Sequence, residues 1–138
     1  MALNFFNTLA RSVQEFAPLD PTGRHVGMYC CGPTVYDLAH IGNFRTFVFA
    51  DLTRRFLEFR GYAVRHVMNI TDVEDKIIRR VRETGQPLAE FTGQYERAFR
   101  EDLKSLNCLD PHDTPRATAY IAEMIALIEQ LIARGVAY

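Results

Sequence analysis

Residues 26–43 read VGMYCCGPTVYDLAHIGN, and they carry the pattern from which the fold class is predicted. Its first part, residues 26–31, is a short apolar run that ends at a Gly-Pro pair, which predicts a buried strand followed by a tight turn. Its last part begins a helix that is expected to end at Gly61. The apolar residues of this helix recur at helical steps of three and four: Ile41, Phe44, Val48, Leu52, Phe56 and Phe59.

A second strand is expected after Gly61, where residues 62–70 read YAVRHVMNI. Strand, helix and strand in close succession make a βαβ unit, whose strands are expected to be parallel and whose crossover is expected to be right-handed. The fold class predicted from these residues is α/β. Residues 1–25 are expected to be irregular because they carry turn signals such as Asp20-Pro21.

Further helices are expected in the second half of the chain. Asp72 is expected to cap a helix over residues 73–84, with Asp75 completing a weak capping box. Another helix is expected to begin near Leu88.

A connector over residues 107–114 is expected to lead to the last helix, with Thr114-Pro115 as its N-cap and first helical residue. The apolar stripes of all these helices are interpreted as core faces. Residues 136–138 resemble the opening of another strand, and a chain that stops there is expected to be part of a longer protein.

Composition sets the limits on the class of protein. The length of 138 residues suits one domain, and no linker predicts a second one. The 16 Lys and Arg against 17 Asp and Glu give a net charge of −1, so bulk charge indicates neither a nucleic-acid nor a membrane partner. No transmembrane run or signal peptide is visible, and three cysteines, with Cys30 and Cys31 adjacent, do not form a disulfide framework. A cytoplasmic protein with reduced thiols is therefore expected.

The turn after the first strand is the favoured place for a phosphate in an open α/β sheet. It contains neither GxGxxG nor a Walker A pattern, but His40-Ile41-Gly42-Asn43 stands at the start of the helix. His40 and Asn43 are three residues apart and share one face of the first turn, while Gly42 allows a ligand to approach the backbone. These residues alone support two interpretations equally, a triphosphate site and a helix cap with an exposed histidine.

His-Ile-Gly-Asn after a Gly-Pro-Thr turn resembles the HIGH signature of class I aminoacyl-tRNA synthetases. The segment MYCCGPTVYDLAHIGNFRTF (28–47), followed by NITDVEDKI (69–77), resembles the cysteinyl-tRNA synthetase family in particular. Two shorter matches lie at residues 6–9 and 115–118. The resemblance implies a Rossmann-like nucleotide-binding fold, of which residues 1–138 would be the N-terminal part of the catalytic domain. It also implies ATP-dependent activation of L-cysteine to cysteinyl-adenylate and transfer to tRNA(Cys), by a protein expected to be monomeric.

The same resemblance implies residue roles. His40 and Asn43 would be catalytic and, with Gly42, would bind ATP, although Asn43 replaces the second histidine of the signature. Cys31 would be one ligand of a Zn²⁺ ion that selects the thiol substrate, with the remaining ligands beyond residue 138. The positions expected to line the cysteine and adenylate site are Gly32, Thr34 and Thr71.

One part of the family pattern is not found. Class I synthetases also hold pyrophosphate with a KMSKS-type loop, and neither Lys76 nor Lys104 lies in such a loop. The 138 residues alone are therefore expected to show little exchange activity. Two alternatives remain: the mycothiol-pathway ligase that joins activated cysteine to an amino sugar, and a non-catalytic nucleotide-binding module. The arginines at 54, 55, 60 and 65 are interpreted as solvated helix surface in preference to a tRNA contact.

Overall fold

The computed structural model describes residues 2–138, which form short strands and longer helices. The first elements in chain order are β1 (Asn4–Asn7), β2 (Ser12–Glu15), β3 (His25–Cys30), α1 (Ile41–Phe59) and β4 (Ala63–Met68). The remaining elements are α2 (Asp75–Thr84), α3 (Leu88–Ser105), a 3₁₀ turn (Ala117–Tyr120) and α4 (Ile121–Ala133).

The predicted βαβ unit is present. β3 and β4 pair in parallel, in a register that places Val26 opposite Val64 and Cys30 opposite Met68, and α1 connects them. The α/β class and the parallel pairing are therefore confirmed. The pairing resumes beyond the strand ends in an isolated bridge between Thr34 and Thr71.

The free edge of β4 is covered by residues 113–116, which run parallel to it through bridges at Val67–Asp113 and Ile70–Arg116. The backbone N–H of Ile70 donates to the carbonyl of Pro115 at 2.8 Å. The prediction that Thr114-Pro115 starts a helix is wrong, because the backbone of this segment is hydrogen-bonded to the sheet edge. The helical backbone begins only after it, in the 3₁₀ turn.

The expectation of an irregular N-terminus is also wrong. β1 and β2 form an antiparallel hairpin in which Phe5 is opposite Gln14. The Asn7 side chain accepts hydrogen bonds from the backbone N–H groups of Leu9 and Ala10, which satisfies donors in the turn. Every residue of both strands is exposed, so no alternation of buried and exposed positions marks them in the sequence.

The apolar run before the Gly-Pro pair is only partly buried. β3 ends at Cys30, and of its six residues only Val26 is fully buried, while Tyr29 is 68% exposed. The stripe predicted for α1 is likewise mostly wrong, because among its positions only Phe44 is buried and Phe59 is 84% exposed. The buried residues of this helix are Phe44, Ala50, Arg54 and Leu57.

The core consists of two apolar clusters, one near each end of α1. One cluster joins the hairpin and the start of both parallel strands: Leu3, Val26, Leu57 and Val64. The other joins α1, β4 and α3: Phe44, Met68, Phe99 and Leu103. In the second cluster the Phe44 and Phe99 rings stack at 5.7 Å, so α3 is held against the first turn of α1. This packing positions the loop that precedes α1.

The predicted cap of α2 is wrong. α2 starts at Asp75 with Glu74 as its N-cap, and no side chain caps it. Asp72 is buried, and its carboxylate accepts hydrogen bonds from the backbone N–H of Thr118 at 2.9 Å and from the Thr118 hydroxyl. The carboxylate therefore holds the 3₁₀ turn to the end of β4 instead of capping the following helix.

The apolar stripe of α4 is not a core face within residues 2–138. No residue of α4 is buried, and Ile125 and Ile128 are each 52% exposed. Residues 136–138 form no strand in this structure. None of the helices formed by the described residues combines the length and apolar character that a membrane span requires.

The arginines after α1's midpoint are not simply solvated surface. Arg54 is 9% exposed, and its guanidinium donates to the Glu58 carboxylate at 2.9 Å and to the carbonyl of Asp110 at 2.7 Å. Arg55 pairs with Asp51 at 2.6 Å. Arg54 therefore joins α1 to the connector at Asp110, which explains why a charged residue occupies a buried position on this helix.

Candidate functional site

A cavity of about 420 Å³ opens beside the loop between β3 and α1. Its wall is formed by residues 32–40 of that loop and by Asn43 and Phe47 of α1. Lys76, Tyr95 and Phe99, from α2 and α3, complete it. The cavity lies beyond the carboxyl end of β3, which is where ligands bind in open α/β sheets.

His40 is the N-cap residue of α1. Its backbone is extended (φ −102°, ψ 169°), and its Nδ1 atom accepts a hydrogen bond from the backbone N–H of Gly42 at 3.0 Å. Because Nδ1 accepts, the neutral imidazole carries its proton on Nε2. The ring is exposed on the cavity wall, so Nε2–H is a donor that the helix itself does not use.

Asn43 completes a capping box with His40. Its Oδ1 atom accepts from the backbone N–H of His40 at 3.0 Å, which leaves the Nδ2 amide group as a donor. The helix-cap interpretation of the sequence is therefore correct as a description of local structure. It does not exclude a ligand, because each side chain uses an acceptor for the cap and keeps a donor.

Gly42 has a structural role in the turn that contains His40. A Cβ atom at this position would lie 2.9 Å from Cε1 of the His40 ring, so any larger residue must push the imidazole aside. Gly42 does not line the cavity itself. The glycine preserves the ring orientation that the Nδ1 hydrogen bond sets.

Asn69, at the end of β4, organises the start of the loop. Its Oδ1 atom accepts from the backbone N–H of Gly32 at 3.0 Å and from the Tyr29 hydroxyl at 2.9 Å. Its Nδ2 group donates to the Thr71 hydroxyl at 3.2 Å. A Cβ atom on Gly32 would lie 1.7 Å from the Asn69 carbonyl oxygen, so this close approach requires glycine.

The two threonines predicted for the site lie side by side. Their bridge is held by the backbone N–H of Thr71, which donates to the carbonyl of Pro33 at 3.0 Å, and by that of Val35, which donates to the carbonyl of Thr71 at 3.1 Å. Gly32 and Thr34 line the cavity, whereas Thr71 does not. The structure thus brings four of the predicted residues to one cavity: Gly32, Thr34, His40 and Asn43. Thr71 is hydrogen-bonded to Pro33 and Val35, which line the cavity.

Cys31 follows β3, is exposed, and is not among the residues that line the cavity. Its neighbour Cys30 is half-buried, and burial raises the pKa of the Cys30 thiol. A zinc site needs at least three protein ligands, and residues 2–138 contain no group of three His, Cys, Asp or Glu side chains placed to hold a metal. The described residues alone therefore do not fit a zinc site, and no chemical step below depends on one.

An ion cluster surrounds the buried carboxylate of Glu96 on α3, the helix that also supplies Tyr95 and Phe99 to the cavity wall. The Glu96 carboxylate accepts from Arg116 at 2.8 Å and from Arg100 at 2.9 Å, and its side chain is only 6% exposed. Burial by itself raises the pKa of Glu96, but the hydrogen bonds from Arg116 and Arg100 outweigh it and leave the pKa below its usual value. The cluster ties α3 to the segment that covers the edge of β4.

Some residues of the site were missed by the sequence reasoning. Asn69 was quoted within a motif but received no role, and Tyr36, Lys76 and Tyr95 were given none. Asn69 stands directly after an apolar strand, which is a usable signal for a site residue. Tyr95 and Lys76 come from helices that the sequence does not place next to the loop.

Comparison with known proteins identifies the family. The family model described as "tRNA synthetases class I (C) catalytic domain" matches residues 17–138. The chain is 52% identical to the cysteine–tRNA ligase of Paramagnetospirillum magneticum over 138 residues, which is all of this chain and 30% of that protein.

The chain belongs to the cysteinyl-tRNA synthetase family.

Other relatives agree with this assignment. The cysteine–tRNA ligase of Koribacter versatilis is 49% identical over 138 residues, and that of Chlamydia trachomatis is 51% identical over 139 residues. Each match covers the whole chain and 28% of the relative. The chain thus spans about three tenths of the length of the cysteinyl-tRNA synthetases that it matches, and its α/β unit is part of their class I catalytic domain.

Proposed function

We propose that this chain provides the nucleotide-binding part of a cysteine–tRNA ligase, with residues 1–138 as the N-terminal part of its catalytic domain. The observation that carries the proposal is the His40–Asn43 turn on the wall of the cavity, where Nε2–H of His40 and the amide of Asn43 stay free to donate. The proposal includes L-cysteine, ATP and tRNA(Cys) as substrates, a cytoplasmic location and a monomeric state. No second domain is proposed within this chain.

The proposed first reaction is formation of cysteinyl-adenylate. A carboxylate oxygen of L-cysteine attacks the α-phosphorus of ATP, the bond from that phosphorus to the bridging oxygen breaks, and pyrophosphate leaves. Negative charge develops on the phosphate oxygens during this displacement. Nε2–H of His40 and Nδ2–H of Asn43 donate to those oxygens, and both are already oriented by the cap of α1. The ribose hydroxyl at the 3′ end of tRNA then attacks the cysteinyl carbonyl, and AMP leaves.

The substrate side of the proposed site uses the loop before the helix. Gly32 and Thr34 form the wall next to the end of β3, and Thr71 is bonded to the same loop. We include Gly42 as the residue that keeps the His40 ring in place against ATP. Cys31 stays a proposed zinc ligand, and a complete ion site would need donors in addition to those among residues 2–138.

The experiment that tests the proposal is aminoacylation by the product of the complete open reading frame that encodes this chain. Cysteine, ATP and tRNA(Cys) should yield cysteinyl-tRNA, and serine in place of cysteine should yield none. If an amino sugar accepts the activated cysteine and tRNA does not, the mycothiol-pathway alternative is correct. If ATP binds without cysteine-dependent exchange, the chain is part of a non-catalytic module.

A further inference from the structure

Lys76 brings an ammonium group to the cavity from outside the loop that the sequence singles out. It lies in the first turn of α2, and its Nζ atom is 5.1 Å from the centre of the Tyr36 ring. Tyr36 is itself part of the loop between β3 and α1. The contact therefore holds the ammonium at the wall formed by the loop.

Apart from Lys76, no residue that lines the cavity, within the part of the chain that the structure describes, carries a lysine or arginine side chain. Asp37 adds a negative charge, and His40 is neutral when Nε2 carries its single proton. A polyphosphate bound between these groups needs a cation, and Lys76 is the lining residue that supplies one.

Lys76 is available for such a ligand. It forms no salt bridge with a carboxylate among residues 2–138, and its Nζ atom contacts the face of the Tyr36 ring. A cation–π contact at an exposed site is weaker than a charge-assisted hydrogen bond to phosphate. A lysine ammonium on a flexible stem can therefore leave the ring for a phosphate oxygen without breaking an ion pair.

We propose that Lys76 binds a phosphate group of ATP in the same cavity as His40, and that the Tyr36 ring holds its ammonium there before the nucleotide arrives. This inference rests on the proposed ligase function and adds a residue to it. It does not make Lys76 part of a KMSKS-type loop, because Lys76 is on a helix directly after the NITDVED segment.

The test compares variants of the complete open reading frame product in cysteine-dependent ATP–pyrophosphate exchange. Lys76→Gln should raise the ATP KM or lower kcat/KM for ATP by about 10- to 100-fold, as for loss of one hydrogen bond to a charged group. Lys76→Arg should remain closer to the wild type than Lys76→Gln does. Lys104→Gln is the matched control, since Lys104 lies at the end of α3 and does not line the cavity, and it should leave the kinetics unchanged.

Two further measurements separate phosphate binding from a structural effect. The Tm of Lys76→Gln should equal that of the wild type, because the side chain is exposed. The ATP KM of the wild type should rise more steeply with ionic strength than that of Lys76→Gln. If Lys76→Gln matches Lys104→Gln in an active enzyme, the role of Lys76 is wrong and the ligase function stands. If the wild type lacks exchange activity, both proposals are overturned.

Discussion

The Nδ1 atom of His40 accepts a hydrogen bond from the backbone N–H of Gly42 at 3.0 Å, so the residue that caps α1 also has its tautomer fixed by the helix. The same turn can serve two purposes, because the acceptor atoms of His40 and Asn43 stabilise the helix start while the cap leaves their donors unused. A preorganised donor needs no rearrangement when charge develops on a bound phosphate.

The contact between His40 and Gly42 predicts an unusual effect of Gly42→Ala. The new Cβ atom would displace the His40 ring, so cysteine-dependent exchange should fall by about 10-fold or more, toward the effect of losing one oriented donor. The Tm should change little, because the helix propensity of alanine, about 1 kcal/mol better than that of glycine, is offset by loss of the His40 cap, which costs about 1 kcal/mol. A variant with full activity would show that the ring orientation has no importance. Gly93→Ala, inside α3, is the matched control for the helix effect alone.

The Glu96 cluster predicts a stability effect with a defined pH dependence. Glu96→Gln should lower the free energy of unfolding by about 1.5–3 kcal/mol at pH 7, the range for hydrogen bonds to charged groups. Because the pKa of Glu96 is lowered in the folded protein, its contribution is present above the pKa of the unfolded chain and is lost as pH falls through the folded value. Denaturant unfolding should therefore show the two proteins converging in acid. Equal stability at pH 7 would contradict the cluster, and Glu101→Gln on the exposed face of α3 is the control.

His66 predicts a second effect of pH on stability, in which the folded protein disfavours the charged form of a side chain instead of favouring it. His66 is 4% exposed, and neither ring nitrogen has a hydrogen-bond partner among the described residues. Burial lowers the pKa of His66, and the positive charge of Arg54 and the nearby His112 lower it further, against a smaller opposing effect of Asp51.

The unfolded chain therefore binds this proton more readily than the folded one, so His66 should reduce stability as pH falls below about 6.5, the usual histidine pKa. His66→Leu should remove that loss in urea unfolding between pH 7 and pH 5. A stability profile identical to the wild type would contradict the buried neutral ring.

The three thiols should differ in reactivity. Cys31 is exposed, whereas Cys30 and Cys108 are half-buried and burial raises the pKa of both thiols. Thiolate is the reactive species, so in metal-free protein a maleimide at pH 7 should label Cys31 first. Peptide mass analysis after brief labelling measures the order. Labelling of Cys30 before Cys31 would mean that the end of β3 is placed incorrectly.

The parts of the fold that the sequence predicts are those in which local pattern and packing agree. The βαβ unit follows from an apolar run, a helical period and a second run, and residues 25–68 fold accordingly. The buried face of α1 was mispredicted because a charged residue, Arg54, lies in the core, where Glu58 and a backbone carbonyl satisfy it. Burial of Arg54 depends on its long-range contact with the Asp110 carbonyl, and periodicity does not show such contacts.

The candidate site shows the same division. The sequence shows that four site residues are close together, because all of them lie in or next to the loop between β3 and α1: Gly32, Thr34, His40 and Asn43. The prediction for Asp72 was wrong because the partner of its carboxylate is Thr118, far along the chain. Lys76 was set aside because it lacked a loop motif, and only the packing of α2 brings it to the cavity. Long-range contacts thus decide which distant side chains join a locally encoded loop.

Single-turnover formation of cysteinyl-adenylate by the complete open reading frame product and its His40→Ala variant measures whether this turn binds the nucleotide phosphates. We expect the rate to fall by on the order of 10²–10³ in the variant, as for removal of one preorganised donor. Asn43→Ala should lower the rate less, because the N–H of a carboxamide is less acidic than that of an imidazole and donates a weaker hydrogen bond to the developing charge. An adenylation rate unchanged by His40→Ala would contradict the assignment of this turn to the nucleotide phosphates.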